Sequence, residues 1–542
     1  MASTLLLLSA ALALVGCTGS GDNADYQIIV TPVLPLNQPE LLSSMERVAL
    51  WIDSGDGEPV ELDLSSGESG TIDTFEDLAA LDGARLELRG WQGTTLMALG
   101  RSEPLSISTG SQEVRILVGA VGGFNQLENV SDRVAFGALA SAGNGRFYLF
   151  GGNDQGPYEQ DAWPDIWSID LAPPSEGLAF SLLSDPMPPK EDGSSGRICH
   201  TATALTQGGH ELVGRILVAG GAERVTLQSG SSYSADFTTA SATAFLFDPE
   251  TETVEVLSEA ERLLDERCGH TATELPSGKV VVAGGIKGAS TGSLTGLEDA
   301  EIYDPVSGGF VPVEGSPEGP LVFHAAAAMS NGGVMLCGGL KRSVNNFAAS
   351  DDCDLVTANG EFLPGPVLPE GLIHAAMAPL LDGKLLLTGG ANPTDSYSLF
   401  EFPDQVSDRA WIYDGSSWTE TDSMGSPRAM HELVALPDGN VLVIGGVSQI
   451  SSAVEPASTD GFWNMLWGSA YAVSCAELYD AGTGRFEVIG SCAEGVGAMS
   501  GTVARPNVAV DRDFGVLVAG GLTAQSEKET GSRVVDFYAI EP

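Results

Sequence analysis

Residues 267–285 read RCGHTATELPSGKVVVAGG, and variants of this stretch occur seven times along the 542-residue chain. Each copy brings an alternating segment, a run of four apolar residues and a pair of glycines. Short runs such as VVVA and VLVI are typical of strands that are buried on both faces. The glycine pairs end at Gly152, Gly221, Gly285, Gly339, Gly390, Gly446 and Gly521.

Two further elements accompany each glycine pair. Upstream lies an Arg-x-x-His element, as in RICHTATAL (197–205) and RAMHELVAL (428–436), with weaker forms in LVFHAAAAM (321–329) and LIHAAMAPL (372–380). Downstream lies an aromatic-Asp pair followed by a turn, as in FLFDPETETVEV (245–256). Together these elements predict four strands per unit.

The order of Arg-x-x-His, apolar-Gly-Gly and Tyr-Asp-Pro resembles the kelch repeat of β-propellers, with 51 to 75 residues between glycine pairs. This resemblance implies an all-β chain with a seven-bladed propeller over residues 121–542. The last unit lacks its fourth strand, and residues 122–133 resemble a fourth strand without inner strands of its own. We therefore expect the segment near Phe124 to pair with the last blade and close the ring.

Residues 26–118 lack the repeat but contain short alternating segments such as RVALWID, ARLELRGW and QEVRILVG. Such segments, separated by turn residues, predict a small β-sandwich domain. It would act as a spacer or as a second binding module, and the sequence does not decide between the two.

The first sixteen residues, MASTLLLLSAALALVG, are uncharged and too short to span a bilayer, so they predict a signal peptide over residues 1–16. LVGC resembles the lipobox of bacterial lipoproteins, which implies lipidation at Cys17 and a flexible linker over residues 17–25. Thr18 after the cysteine implies sorting to the outer membrane or cell surface.

Asp and Glu number 73 against 25 Lys and Arg, a net charge of −48. This charge repels phosphate backbones and anionic lipid surfaces, so nucleic acid is excluded as a partner and membrane contact is expected through the lipid anchor alone. We expect a monomer.

Six cysteines follow Cys17 in this exported chain, so disulfides are expected. Cys475 and Cys492 flank a predicted hairpin, and Cys337 and Cys353 flank the connection between two predicted strands. Cys199 and Cys268 are the remaining two, as a third disulfide or as free buried thiols.

Five of the six histidines are assigned to the same slot of successive units, with Phe136 and Ser500 in that slot in the first and last copies. The five are His200, His270, His324, His374 and His431. A structural role is favoured over a metal ring, because ligation needs several side chains within about 2.1 Å of one ion. Arg133, Arg197, Arg267 and Arg428 are expected to pair with loop carbonyls or acidic neighbours. No metal and no cofactor is predicted, and the tyrosine-histidine pattern of copper propellers that resemble galactose oxidase is not matched.

The insertions lie mainly between the second and third strands, which places them on one face of a propeller. The longest contains DGFWNMLWGSAY (460–471), whose aromatic residues suit stacking on sugars or anchoring a protein, or else form a small lid core. The predicted binding residues are Phe462, Trp463, Trp467, Tyr471, Tyr397 and Phe400, with Phe402 nearby.

These observations predict an exported, lipid-anchored surface protein that binds a protein or a glycan through its insertion face. The alternative is a propeller-type enzyme acting on carbohydrate, an epimerase, mutarotase or oxidase. No catalytic residue is assigned and an enzyme is the less favoured interpretation. The enzymatic alternative predicts a compact pocket at the channel mouth with two or more titratable groups whose pKa values are shifted.

Overall fold

The computed structural model describes most of the chain. The described residues are 12–15, 27–53, 59–64, 82–106, 111–127, 134–154, 162–171, 179–191, 193–223, 226–228, 234–236, 240–287, 295–343, 346–392, 406–448, 473–490, 499–501, 503–525, 528–531 and 535–540. Regular structure in these residues is β-strand apart from one 3-10 turn, Leu42–Ser44. No helix within them is long and apolar enough to cross a membrane.

The described residues after position 121 form seven four-stranded antiparallel sheets, numbered here in the chain order of their inner strands. From inner to outer edge they are Ala138–Gly143, Arg146–Phe150, Ile166–Asp170 and Ala179–Leu182 (sheet 1); Thr201–Ala204, Ile216–Ala219, Ala244–Asp248 and Thr253–Val256 (sheet 2); Thr271–Glu274, Val280–Ala283, Ala300–Asp304 and Gly309–Pro312 (sheet 3); Ala325–Ala328, Val334–Cys337, Cys353–Val356 and Phe362–Pro364 (sheet 4); Ala376–Pro379, Leu385–Thr388, Ala410–Tyr413 and Trp418–Glu420 (sheet 5); Glu432–Ala435, Val441–Ile444, Ala476–Asp480 and Arg485–Ile489 (sheet 6); and Asn507–Asp511, Gly515–Ala519, Val535–Ala539 and Phe124–Gln126 (sheet 7).

The apolar run of each repeat is the second strand of its sheet. In sheet 3 all four residues of Val280–Ala283 are buried, because neighbouring sheets cover both faces of the strand. The outer strands carry exposed residues, and the inner strands are half-buried along the central channel. A radial stack of such sheets is a β-propeller.

The glycine pairs are the points at which neighbouring sheets touch. The second glycine of each pair donates its N–H to a carbonyl of the next sheet, with N···O distances of 2.7–2.8 Å. The first glycine lies against the same carbonyl: a Cβ on Gly284, whose φ is +60°, would overlap the oxygen of Leu321. The seven bonds run from Gly152 to Arg197, Gly221 to Arg267, Gly285 to Leu321, Gly339 to Leu372, Gly390 to Arg428, Gly446 to Val503 and Gly521 to Val134.

The last of these bonds joins sheet 7 to sheet 1, so the stack returns on itself. The inner strand Asn507–Asp511 likewise contacts Ala138–Gly143. Phe124–Gln126 pairs antiparallel with Val535–Ala539, with Phe124 opposite Tyr538 and Asn125 opposite Phe537. The pairing expected for the segment near Phe124 is thus present, and the beginning and end of the array share one sheet.

The N-terminal region forms one seven-stranded sheet, so the predicted sandwich is not confirmed. Its strands, in spatial order, are Leu12–Val15, Gln27–Val33, Ser111–Ala120, Thr95–Arg101, Arg85–Gln92, Arg47–Asp53 and Val60–Asp63. Ser111–Ala120 pairs with Gln27–Val33 along its first half and with Thr95–Arg101 along its second. Both arms of the sheet therefore contribute to one apolar core, as Val30, Leu50 and Ile116 show. Leu12–Val15 lies within the predicted signal peptide, and the signal peptide and lipidation remain predictions.

The N-terminal sheet rests on sheets 7 and 1. Arg85 forms an ion pair with Asp513 at 2.5 Å and donates to Asn144 at 3.0 Å, and Arg101 donates to the carbonyl of Asp513. Asp513 and Asn144 lie in turns between inner and second strands, so this contact is on the face of the propeller opposite to the insertions.

Candidate functional site

Four insertions form β-hairpins on the face where the inner strands begin. Each leaves the end of a second strand: Thr226–Gln228 with Ser234–Asp236, Ile286–Lys287 with Thr295–Gly296, Leu340–Ser343 with Asn346–Ala349, and Leu522–Gln525 with Lys528–Gly531. At the centre of this face lies a cavity of about 300 Å³, to which residues at or just before the start of all seven inner strands contribute. We call it the mouth cavity.

In each sheet, the residue that lies two positions before the inner strand lines the mouth cavity. We call this the mouth position. All seven residues there have a left-handed backbone, with φ between 47° and 68°. For the six that are not glycine this conformation costs roughly 1–2 kcal/mol each, and such strain is often found at functional sites. The mouth positions hold Phe136, Cys199, Gly269, Phe323, His374, Met430 and Arg505.

The mouth positions are also linked through their backbones. The N–H of Cys199 donates to Phe136, that of Gly269 to Cys199, and that of His374 to Phe323. Met430 and Arg505 donate in the same way to the mouth residue of the preceding sheet, at 3.0 and 2.9 Å. The side chains at the mouth are therefore held at fixed places around the channel axis.

The next residue along the chain occupies the histidine position, and there the side chains join neighbouring sheets. Nε2 of His270 lies 3.0 Å from Oγ1 of Thr201 in sheet 2, and Nε2 of His431 lies 2.7 Å from Oγ1 of Thr388 in sheet 5. His324 contacts Thr271 in the same way. Burial lowers the pKa of His200 and His431 to about 3 and that of His324 to about 4, so these rings are neutral. These contacts favour the structural role expected for them.

Three assignments to the histidine position were wrong. In sheet 3, His270 is followed by Thr271, which pairs with Ala283, the residue directly before the glycine pair. In sheet 5 the residue directly before the glycine pair is Thr388, and it pairs with Ala376. Ala375 therefore holds the histidine position there, and His374 lies one residue earlier, at the mouth. By the same register Gly137 replaces the predicted Phe136 and Pro506 replaces the predicted Ser500.

The arginines of the repeat are buried, as three of them show. Arg267 donates to the carbonyl of Gly284 at 2.8 Å and forms an ion pair with Glu301 at 2.5 Å. Arg197 donates to the carbonyl of Gly220, and Arg428 to that of Gly445. Arg197, Arg267 and Arg428 thus all pair with carbonyls, and Arg267 and Arg428 pair with acidic neighbours as well. Arg133 lies outside the described residues.

The polar side of the mouth cavity is built by Arg505. Its guanidinium reaches across the channel from sheet 7 to Nδ1 of His374 in sheet 5, at 3.0 Å, and lies 5.8 Å from the ring centre of Phe323 in sheet 4. The rings of Phe323 and His374 are in contact, with centroids 4.3 Å apart and planes tilted by 34°. Arg505 is therefore fixed by an aromatic pair from two other sheets.

Glu432 shares the cavity with Arg505. It is open to the cavity solvent, yet the surrounding walls desolvate its carboxyl and raise its pKa to about 7, while Arg505 opposes this shift. Desolvation also lowers the pKa of Arg505 to about 10, opposed by Glu432. The cavity therefore combines a cation with an acid that exchanges its proton near neutral pH, the property expected for the enzymatic alternative.

The mouth also has apolar walls. Phe136, Phe323 and Met430 are nearly buried there, and the disulfide between Cys199 and Cys268 connects sheets 2 and 3 in the cavity wall. Cys199 and Cys268 are thus bonded rather than free. Cys337 and Cys353 are bonded as predicted, from opposite positions of adjacent strands. Cys475 is disulfide-bonded too, and its predicted partner Cys492 lies outside the described residues.

The sequence did not identify Arg505 or Glu432, because neither belongs to a motif. Counting from the glycine pair would have placed Arg505 at the mouth, since Asn507 pairs with Ala519 directly before Gly520. The predicted binding residues all lie outside the described residues: Phe462, Trp463, Trp467, Tyr471, Tyr397, Phe400 and Phe402.

No protein-family model matches this chain, and no curated protein matches it. Many solved structures are similar, and two of them are as follows. "Structure of YjhT" is 13% identical, covers 67% of this chain and 99% of its own, and has a TM-score of 0.44. "Novel fungal alcohol oxidase with catalytic diversity among the AA5 family, in complex with copper" is 15% identical, covers 78% of this chain and 76% of its own, and has a TM-score of 0.51. The second likeness supports the β-propeller fold.

The copper of that fungal oxidase does not suit the residues described here. Nowhere in the described parts of the chain do three or more His, Cys, Asp or Glu side chains converge as metal ligands. At the mouth, the histidine rings of sheets 3, 4 and 6 point to threonines of neighbouring sheets, and the two cysteines are bonded to each other.

Proposed function

We propose that this chain is an exported, lipid-anchored, seven-bladed kelch-type propeller that binds a glycan at the mouth cavity of its insertion face. The observation that carries the proposal is the pairing of an apolar wall with a fixed arginine and a carboxyl in one cavity. Seven sheets joined by seven equivalent glycine contacts support the blade number.

Sugars present two kinds of surface, and the mouth cavity offers a partner for each. The C–H face of a pyranose packs on aromatic rings and sulfur, which Phe323, Phe136 and the Cys199–Cys268 disulfide provide. Hydroxyl groups need donors and acceptors, which the Arg505 guanidinium and the Glu432 carboxylate provide. Small-ligand sites combine apolar walls with polar groups that orient the ligand, and the mouth cavity offers both kinds of surface in comparable amounts.

The size of the cavity favours a glycan over a protein as the bound group. A volume of about 300 Å³ is at the lower end of ligand pockets, so it takes one small ring. A stable protein partner would need about 800 Å² of surface on each side. We also propose that Phe462, Trp463, Trp467, Tyr471, Tyr397 and Phe400 extend the site toward the rest of the glycan.

A microarray of mono- and oligosaccharides tests this function. We expect the wild type to bind, and Arg505→Met and Glu432→Gln to lose at least tenfold in affinity. Met430 shows that methionine is accommodated at a mouth position. Arg485→Met is the control, because Arg485 is 78% exposed and begins an outer strand on the opposite face. Binding that is equal in all four proteins would remove the mouth cavity as the site.

The lipid anchor has its own test. We expect Cys17→Ser to move the protein from the membrane fraction to the soluble fraction, because the thioether to the lipid cannot form. Retention in the membrane fraction would contradict anchoring at Cys17.

A second function is favoured by one observation, the pKa of about 7 that desolvation gives Glu432. A carboxyl that titrates near neutral pH suits general acid-base catalysis. In mutarotation the carboxylate would take the proton of the anomeric hydroxyl while the C1–O5 bond breaks and C1=O forms, and would return that proton to the ring oxygen. The reverse path closes the ring on the other face.

NMR of anomer exchange in a bound sugar separates catalysis from binding. An enzyme accelerates exchange, and Glu432→Gln slows the accelerated rate by about 100-fold or more. A wild type that binds the sugar without acceleration leaves the binding function and removes the catalytic one.

A further inference from the structure

The seven mouth positions share one backbone but differ in the space that they fill. Phe136, Phe323, His374 and Met430 are 4% to 9% exposed, and Cys199 and Arg505 are half-buried. Gly269 is exposed, and an added Cβ would meet no atom within 4 Å. Open space in the mouth cavity therefore lies above sheet 3.

The backbone does not require glycine at this place. The φ of Gly269 is +68°, and the equivalent residues include Phe136 at 56° and Phe323 at 58°. The ring thus accommodates large side chains in the same conformation, although the conformation is unfavourable for them. The lack of a side chain in sheet 3 is what leaves the mouth cavity open there.

The residues around Gly269 offer both apolar and polar contacts to one sugar ring. The disulfide of Cys199 and Cys268 lies on the side of sheet 2, and Phe323 follows on the side of sheet 4. Arg505 extends from sheet 7 toward Phe323 and His374, with Glu432 in the same cavity. A ring above Gly269 has apolar partners on both flanks and polar partners ahead of it.

We infer that Gly269 is the specificity-determining residue of the mouth cavity, and that the terminal sugar of the glycan sits above it between the disulfide and Phe323. The inference rests on the proposed function and refines it. The site takes one terminal ring, because the mouth cavity has a volume of about 300 Å³.

The experiment measures binding of methyl glycosides of hexoses and N-acetylhexosamines by NMR titration. The wild type is compared with Gly269→Phe, which places at sheet 3 the residue that sheets 1 and 4 carry at the same position. We expect at least a tenfold loss of affinity, because the phenyl ring takes the space of the sugar. Gly269→Met, which copies the mouth residue of sheet 6, is a second variant in case the phenylalanine disturbs folding.

Gly209→Phe is the matched control. Gly209 has a φ of +60° and open space around its Cα, but it lies in the turn between inner and second strands on the opposite face. It should keep wild-type affinity, and thermal unfolding verifies that each variant is folded. A folded Gly269→Phe with affinity within twofold of wild type overturns the inference and leaves the proposed function standing. A wild type that binds none of the glycosides overturns the proposed function, and the inference with it.

Discussion

Sheets 6 and 7 differ in the buried side chains that hold the loop leading to the inner strand. In sheet 6, Arg428 and Glu477 are both fully buried and pair at 2.9 Å. In sheet 7 the equivalent positions hold Val503 and Asp536, and Asp536 is equally buried. Its Oδ2 accepts the N–H of Ser500 at 2.7 Å, just as Glu477 accepts the N–H of Gly425 at 2.6 Å.

Among the sheets that carry a carboxyl at this position, the common element is therefore its bond to the incoming loop, and the arginine is an addition. Sheet 4 confirms this, because Asp354 accepts the N–H of Glu318 while Leu321 replaces the arginine. Where arginine is present, the carboxyl has a buried counter-charge. Where arginine is absent, burial acts unopposed by it and raises the pKa of Asp536 to about 7 and that of Asp354 to about 6.

The largest effect is expected from breaking the pair in sheet 6. Arg428→Met leaves Glu477 as a buried charge without its partner and frees the carbonyls of Gly445 and Cys475, which Arg428 binds at 2.9 and 2.7 Å. We expect a loss of about 3–5 kcal/mol in the free energy of unfolding, measured by denaturant titration.

Leu321→Met is the control for that variant, because it changes the same position in a sheet without the ion pair. It should cost less than about 1.5 kcal/mol. The double variant Arg428→Met/Glu477→Gln should recover part of the lost stability, since no buried charge remains and the amide oxygen still accepts from Gly425. Equal losses in sheets 6 and 4 would show that the two carboxyl sites do not differ as described.

A smaller effect, dependent on pH, is expected in sheet 7. Because the folded pKa of Asp536 is raised to about 7, the folded state holds this proton between about pH 4 and pH 7 while the unfolded state releases it. The stability that protonated Asp536 contributes is thus fully present below the pKa of the unfolded state, and it is lost as the pH rises through 7. We expect a decline on the order of a few kcal/mol across this window.

Asp536→Asn should flatten that decline, since the amide oxygen still accepts from Ser500 and carries no charge. Unfolding at pH 4.5, 6 and 8 measures the difference between the two proteins. Glu432, with a pKa of about 7, and Asp354, with a pKa of about 6, titrate in the same direction, so part of the decline should persist in the variant. Identical pH profiles would show that Asp536 titrates normally in the folded protein.

These differences between sheets mark the limit of what the sequence predicted. The glycine pairs and apolar runs predicted the second strands, because a buried strand needs only a short local pattern. The segment near Phe124 was expected beside the last sheet, because the ring closes through a few residues that lack a partner elsewhere. Aligning the repeats by a shared residue type, the histidine, was a less reliable way to assign positions. His374 lies fifteen residues before Gly389, whereas His270 lies fourteen before Gly284, and that one-residue shift moves His374 from the joint to the mouth.

The candidate site was not predictable from motifs for a related reason. Arg505, His374 and Phe323 come from three sheets and meet across the channel, so no window of sequence contains them together. Their shared property is the left-handed backbone, which sequence shows clearly only where glycine occupies it. Glu432 lies directly after His431, and only its position inside the closed ring gives its carboxyl an unusual pKa.

The smallest effect is expected at the joint between sheets 5 and 6, where Thr388 and His431 form a hydrogen bond of 2.7 Å. The joint between sheets 6 and 7 has Pro506 at the histidine position and so lacks this bond. Thr388→Val keeps the shape but leaves Nε2 of His431 buried without that partner, at a cost of about 1–3 kcal/mol, near the lower end if the joint relaxes. Thr388→Ser retains the hydroxyl and should retain more of the stability than the valine variant. If both variants unfold at the same temperature, the bond contributes nothing, and the joints on either side of sheet 6 are equivalent despite their different residues.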